Sequence, residues 1–242
     1  MSQTNTAYVI LRRAILDCDL NPDSALVISS LKSRFGFGWT PLREALPRLE
    51  AERLVRFEPN KGYRVAGVSV SGLKDLQVAR TAVETELLLR SINLGGDEWE
   101  ANLVAAHHLL AQTALPEPGT ISAAGLAWEK RHEAFHAALL AGANAPWLEH
   151  LARQTSDQLH RHHRFMLNGA QVLQRLRDPD GAALRGTFDR TLGLAHHTAL
   201  LDAAIDRDKD RAASLLKEHV GFSLAVYASL WPDDETVDTA AA

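Results

Sequence analysis

A chain of 242 residues is long enough to bury a substantial core and to form two domains, and 46% apolar with 23% charged residues excludes a low-complexity or fibrous class. Its single cysteine excludes a disulfide framework within the chain and fits a reducing compartment. The net charge of −4 conceals an asymmetry: residues 1–68 carry ten Lys and Arg against seven Asp and Glu, the other 174 sixteen against twenty-three. In chain order, residues 6–18 read as an amphipathic helix, followed by a turn at Asn21 to Ser24 and a second short helix over 27–35. Phe35-Gly36-Phe37-Gly38 ends it, and a third helix is expected from about 40 to 52.

That third helix carries the most information. Thr40 is expected to cap it, and Pro41 suits the first turn because the N–H it lacks has no partner there. Ala45, Leu46 and Leu49 lie at helical spacing and face a small core, which leaves Arg43 and Arg48 pointing outward. Arg53 to Val68 supplies two strands that turn at Asn60-Lys61-Gly62. Outward arginines beside a basic, glycine-tipped hairpin are the layout of a winged helix-turn-helix, which docks in a DNA major groove. Arg43 is the side chain expected to reach a base edge, with a surface pair to Glu44 or Glu50 as the alternative. Thr40 serves as cap, phosphate contact or both, Arg34 is a phosphate contact, and Lys61 and Gly62 approach the backbone or minor groove.

From Ser71 the pattern is helical almost throughout, over 71–94, 97–115, 121–141, 146–168, 172–177, 186–204 and 208–230. Asp97 is expected to cap the second of these, and residues 233–242 form a solvated tail. The fold class is therefore mostly α: a winged helix over 1–68, an all-helical effector-binding bundle over 69–232, and a flexible tail over 233–242. No apolar run approaches the roughly 20 residues that span a bilayer, so the expectation is a cytoplasmic protein without a membrane partner.

Eleven histidines are many, and two pairs of positions stand out. His132 and His136 are four apart, so both imidazoles project from one helix face, the geometry with which a helix offers two ligands to one metal ion. His197 and His219 fall on two later helices, and four imidazoles from three helices can converge inside a bundle. A hydrogen-bonded structural role is the competing reading for each of them. His107, His108, His160, His162 and His163 lack the same alignment and are expected at the solvated rim.

Thr-Pro-Leu-Arg-Glu-Ala-Leu at 40–46, Lys-Gly-Tyr-Arg-Val at 61–65, Arg80-x-x-x-Glu84, Phe135-His136 and His197…Asp208…His219 together resemble the GntR-type transcription regulators of the FadR/FCD branch. The resemblance covers about residues 6–230. More narrowly, Gly95 to Ala101 and Arg131 to His136 resemble the carbon-starvation-induced, glutarate-responsive repressors. The resemblance implies a homodimer that binds a palindromic operator DNA and is released by a small carboxylate effector such as glutarate or 2-hydroxyglutarate. It implies a divalent metal ion held by His136, His197 and His219, with a fourth position where the family has aspartate and this chain has His132. Imidazole in place of carboxylate favours zinc or nickel. Glu129, one turn earlier, is an alternative carboxylate or a hydrogen-bond partner to the ligands.

Arg80 falls in the family's Arg-x-x-x-Glu helix and is a candidate clamp for the effector carboxylate, against a simple ion pair with Glu84; Arg164 is a second candidate. Trp39 stands where many relatives carry arginine, which implies an altered operator or a stacking role. Trp99, Trp147 and Trp231 are candidates for the dimer interface. The rival function is a metal-dependent hydrolase that uses the multi-histidine site, with Glu129 and Glu133 as bases. It lacks His-Glu-x-x-His and a nucleophile elbow, so the chain is not expected to be an enzyme.

Overall fold

The computed structural model describes residues 2–117, 120, 122–167, 172, 174, 176, 177 and 181–230, apart from the side chains of 166, 167, 183 and 228–230. The chain divides into two compact units. Of the described residues, the first holds those within 2–73 and 156–165, and the second those within 74–155 and 166–230. The short helix expected over 172–177 falls partly, and the tail over 233–242 and Trp231 fall wholly, outside the described residues.

The first unit contains α1 (Gln3–Leu16), α2 (Ile28–Phe35), α3 (Trp39–Ala51), β1 (Val55–Glu58) and β2 (Gly62–Val65). Leu11 and Ile15 of α1, Leu31 of α2, and Leu42, Leu46 and Leu49 of α3 interlock in one core with Leu54, Val55 and Val65. The strands pair antiparallel with Val55 opposite Val65 and Glu58 opposite Gly62. The turn between them needs left-handed backbone at Asn60 (φ 64°) and Gly62 (φ 82°), which asparagine and glycine tolerate best. Ser24 and Leu26 add backbone hydrogen bonds to β2, with Val65 N donating to Ser24 O at 3.0 Å and Leu26 N to Tyr63 O at 2.8 Å.

One expectation is corrected at the start of α3. Gly38, not Thr40, is the capping residue, and its cap makes no side-chain hydrogen bond. Trp39 and Thr40 already belong to the first turn, and Pro41 sits within it as expected. The equivalent correction holds for the helix Asp97–Ala111, where Gly96 caps and Asp97, Glu98 and Glu100 crowd the first turn, favourably placed against the helix dipole.

Residues 156–165 belong to this unit through specific bonds. Asp157 and Glu52 share the Arg12 guanidinium, Gln158 Nε2 donates to Glu52 O at 2.9 Å, and Arg161 donates to the carbonyls of Ala66 and Gly67. His162, expected at the rim, is buried instead, with Nδ1 donating to Gln158 O at 2.7 Å. Burial holds its pKa down to about 4, with the Arg161 charge acting in the same direction. The imidazole is therefore neutral in the folded chain and takes up a proton near pH 6.5 when unfolded. Stability is full above pH 6.5 and is lost as pH falls toward 4, by about 3 kcal/mol at most. A His162→Asn variant should show a correspondingly flatter fall in melting temperature between pH 7 and pH 4.5 than the parent.

The second unit is all helical: most of α4 (Val70–Leu94), then α5 (Asp97–Ala111), α6 (Ala123–Leu140), a 3₁₀ turn at Ala141–Ala143, the start of α7 (Pro146–Leu167), α8 (Gly181–Leu192), α9 (Leu194–Ile205) and α10 (Lys209–Leu230). Its main core takes Leu88 and Ile92 from α4, Trp99 and Leu103 from α5, Trp128, Phe135 and Leu139 from α6, Leu200 and Ala203 from α9, and Leu216 and Val220 from α10. The single helix expected over 186–204 is broken. Gly193 has extended backbone (ψ 151°) as the cap of α9, and a Cβ there would lie 2.4 Å from Asp189 O. No helix among the described residues is long and apolar enough to cross a membrane.

Candidate effector centre and nucleic-acid interface

Four histidines meet inside the second unit. His132 and His136 project from α6, His197 from the first turns of α9 and His219 from α10, and one ring nitrogen of each lies within 4.8 Å of those of the others. The break at Gly193 contributes directly, because His197 Nδ1 donates to Gly193 O at 3.0 Å. A carbonyl only accepts, so the proton is on Nδ1 and the lone pair is on Nε2. That Nε2 and His219 Nδ1 are buried without a hydrogen-bond partner among the described residues. His132 Nε2 and His136 Nε2 are 3.1 Å apart, close to the roughly 3.3 Å edge of a tetrahedron with metal–nitrogen bonds of about 2.0 Å. Glu129, on the same helix, is not one of the group.

Burial dominates the electrostatics. It pushes the pKa of His136 well below the ordinary imidazole range, helped by His219, His132, His197 and the Arg80 charge. His219 is lowered in the same way, and His197 falls to about 4. These three rings are neutral at pH 7, with lone pairs to offer. Buried polar atoms without partners are uncommon in folded proteins. Two of them in a nest of imidazoles fit a site that could hold a metal ion.

Arg80 is buried on α4 and forms a forked pair with Glu84, Nε to Oε1 at 2.8 Å and Nη2 to Oε2 at 3.0 Å. Nη1 takes no part in that fork. Arg80 is thus both ion-paired and close enough to depress His136 and His219. Arg164 is also buried and lies in the first unit. Trp99 is buried, and its indole donates to Ala138 O at 3.0 Å. Trp147 is 82% exposed.

In the first unit, Trp39, Thr40 and Arg43 are all exposed at the start of α3, Trp39 by 55%. Arg43 makes no ion pair among the described residues, and both alternative partners are occupied: Glu44 accepts from Thr4 Oγ1 at 2.6 Å and Glu50 from Phe57 N at 3.1 Å. Lys61, at the hairpin tip beside Gly62, is exposed with Glu58 at 3.8 Å. Arg34 donates to Asp19 O at 3.0 Å and is otherwise exposed. Sequence reasoning passed over Trp128, one turn before His132 and stacked on its ring; its spacing of four residues was the available signal.

A winged helix linked to a helical bundle with a polyhistidine centre defines a transcription regulator that couples a DNA-reading part to a sensing part. Comparison with known proteins agrees. Residues 3–65 match the profile of the bacterial regulatory proteins of the gntR family, and residues 75–222 match the FCD domain. The HTH-type transcriptional repressor GlaR of Escherichia coli K12 is 36% identical over 88% of this chain and 90% of its own length. The HTH-type regulator BphR of Paraburkholderia xenovorans is 30% identical over 89% and 81%. Among solved structures, E. coli McbR/YncC superposes with a TM-score of 0.63 over 94% of this chain and 98% of its own, at 20% identity. A GntR regulator from Rhodococcus sp. RHA1 gives 0.63 over 95% and 98%, at 21% identity. The chain belongs to the GntR family of transcription regulators, in the branch with an FCD domain, and is not an enzyme.

Proposed function

We propose that the protein is a repressor of a catabolic operon that a small dicarboxylate, glutarate or 2-hydroxyglutarate, releases from DNA. The observation that carries this is the charge balance of the effector centre. All four candidate ligands are imidazoles, and the one adjacent guanidinium is already matched by Glu84. A divalent ion held by His132, His136, His197 and His219 would supply a Lewis-acid anchor for a carboxylate, and no anion in that donor set offsets its two positive charges. A dianionic ligand restores neutrality, with Arg80 Nη1, which lies outside the fork to Glu84, as the donor to its second carboxylate. Zinc or nickel suits an all-nitrogen donor set better than magnesium or calcium does. The likeness of Gly95 to Ala101 and of Arg131 to His136 to the glutarate-responsive subgroup supports the same ligand class.

Arg43, Trp39 and Thr40 face the operator from α3, and Lys61 and Gly62 follow its backbone from the hairpin tip, with Arg34 on an adjoining phosphate. One recognition helix per chain requires a homodimer to read a palindrome, and the exposed Trp147 is available to such a partner. A protein with this task works beside the chromosome, in the cytoplasm. The domain boundary falls after residue 68, between the end of the hairpin at Val65 and the start of α4 at Val70.

Titration calorimetry with four- to six-carbon dicarboxylates tests the ligand class. Arg80→Lys keeps the charge but removes the fork, and should weaken the preferred dicarboxylate by about 1.5–3 kcal/mol. Equal affinity for the mono- and dicarboxylate of matched length would contradict the assignment.

A further inference from the structure

Trp128 is neither a candidate ligand nor a clamp, yet its geometry is specific. It lies on α6 four residues before His132, which is four before His136, so the three side chains form a ladder on one helix face. The indole is buried and lies nearly parallel to the His132 imidazole, with 4.5 Å between ring centroids and 15° between planes. The other contacts of the His132 ring with aromatic groups are edge-on or tilted, to His136, His197 and His219. His197 is oriented by a hydrogen bond to a backbone carbonyl. Against the His132 ring, the flat surface is the indole face, beside the 3.1 Å contact of its Nε2 with His136 Nε2.

This matters because the second torsion of a histidine side chain is soft, so the direction of its lone pair must be fixed by what lies against the ring. An imidazole that gives its lone pair to a cation becomes electron-poor, and an electron-poor ring is attracted more strongly to the electron-rich indole face. The stacking therefore favours the loaded state over the empty one.

We propose that Trp128 is a positioning residue for His132: its indole holds the imidazole in the orientation that binds metal, and the stack tightens when metal is present. This rests on the metal-centre reading above. The test is zinc affinity, by competition with a chromophoric chelator, in the wild type, Trp128→Phe and Trp128→Leu, each also melted in the metal-free state. Trp128→Phe keeps a flat aromatic face and should stay within about threefold of wild type, whereas Trp128→Leu fills space without one and should bind about tenfold or more weakly. Cobalt added to the wild type should also quench indole emission, and Trp128→Phe should lose most of that quenching; this second reading stands even if the leucine variant fails to fold. Equal zinc affinity in all three proteins, an equal loss in both variants, or cobalt quenching unchanged in Trp128→Phe would overturn the proposal. A wild type that binds neither zinc nor cobalt would instead overturn the metal centre itself.

Discussion

Zinc added to the metal-free protein should raise its melting temperature, and His136→Ala should abolish the rise. The expectation follows from linkage: an ion that binds only the folded state stabilises it by about 4 kcal/mol when present at a thousand times its dissociation constant. For a domain of this size that amounts to roughly 10 °C. His136 is chosen because its Nε2 lies 3.1 Å from that of His132 and its ring centroid 4.5 Å from that of His219. Removing it opens the centre from the α6 side while leaving the buried Phe135 in place. Nickel should substitute for zinc, whereas magnesium and calcium should leave the curve unmoved because the donor set holds no oxygen. A protein whose melting temperature ignores zinc would return the four histidines to a purely structural role.

The second large effect concerns DNA. Arg43→Ala should cost about 1–3 kcal/mol on an operator selected from randomised duplexes by the wild type, a loss of roughly 5- to 150-fold, while affinity for unrelated duplexes changes little. Arg43 is exposed and unpaired among the described residues, so its removal leaves the packing of Leu42 and Leu46 intact. Lys61→Ala offers the contrast. Removing a charge that neutralises a phosphate at the hairpin tip weakens binding to all sequences alike and lowers the salt dependence by about one charge. Binding curves at two salt concentrations separate the two behaviours. An equal loss on operator and random DNA for Arg43→Ala would move that residue from base edge to phosphate.

The winged helix was legible because each local signal agreed with the next. Pro41 sits at the start of α3, Ala45, Leu46 and Leu49 face the core, and Asn60 and Gly62 take the backbone conformations their side chains permit. The identity of the cap was misread because Thr40 is a good capping residue by type, while Gly38 takes the position two residues earlier. In the bundle, the spacing of four between His132 and His136 was visible, but their meeting with His197 and His219 is a tertiary fact that no spacing contains. The break at Gly193 was not expected either, because the apolar period runs on across it; a Cβ there would meet Asp189 O. The bonds of residues 156–165 to Glu52 and Ala66 join groups more than 90 residues apart in the chain. Arg80 and Glu84 make the ion pair that their spacing of four allows, and a pair at i, i+4 on one helix can also face a ligand site.

The central claim is that a small dicarboxylate bound in the four-histidine centre weakens the hold of α3 on DNA. Operator binding followed by fluorescence anisotropy, with and without saturating glutarate and again after chelation, tests it directly. The expected result is a fall in affinity of about 5- to 150-fold with glutarate, the usual span of such coupling, and its disappearance once metal is removed. Operator affinity that stays constant while glutarate demonstrably occupies the protein would contradict it.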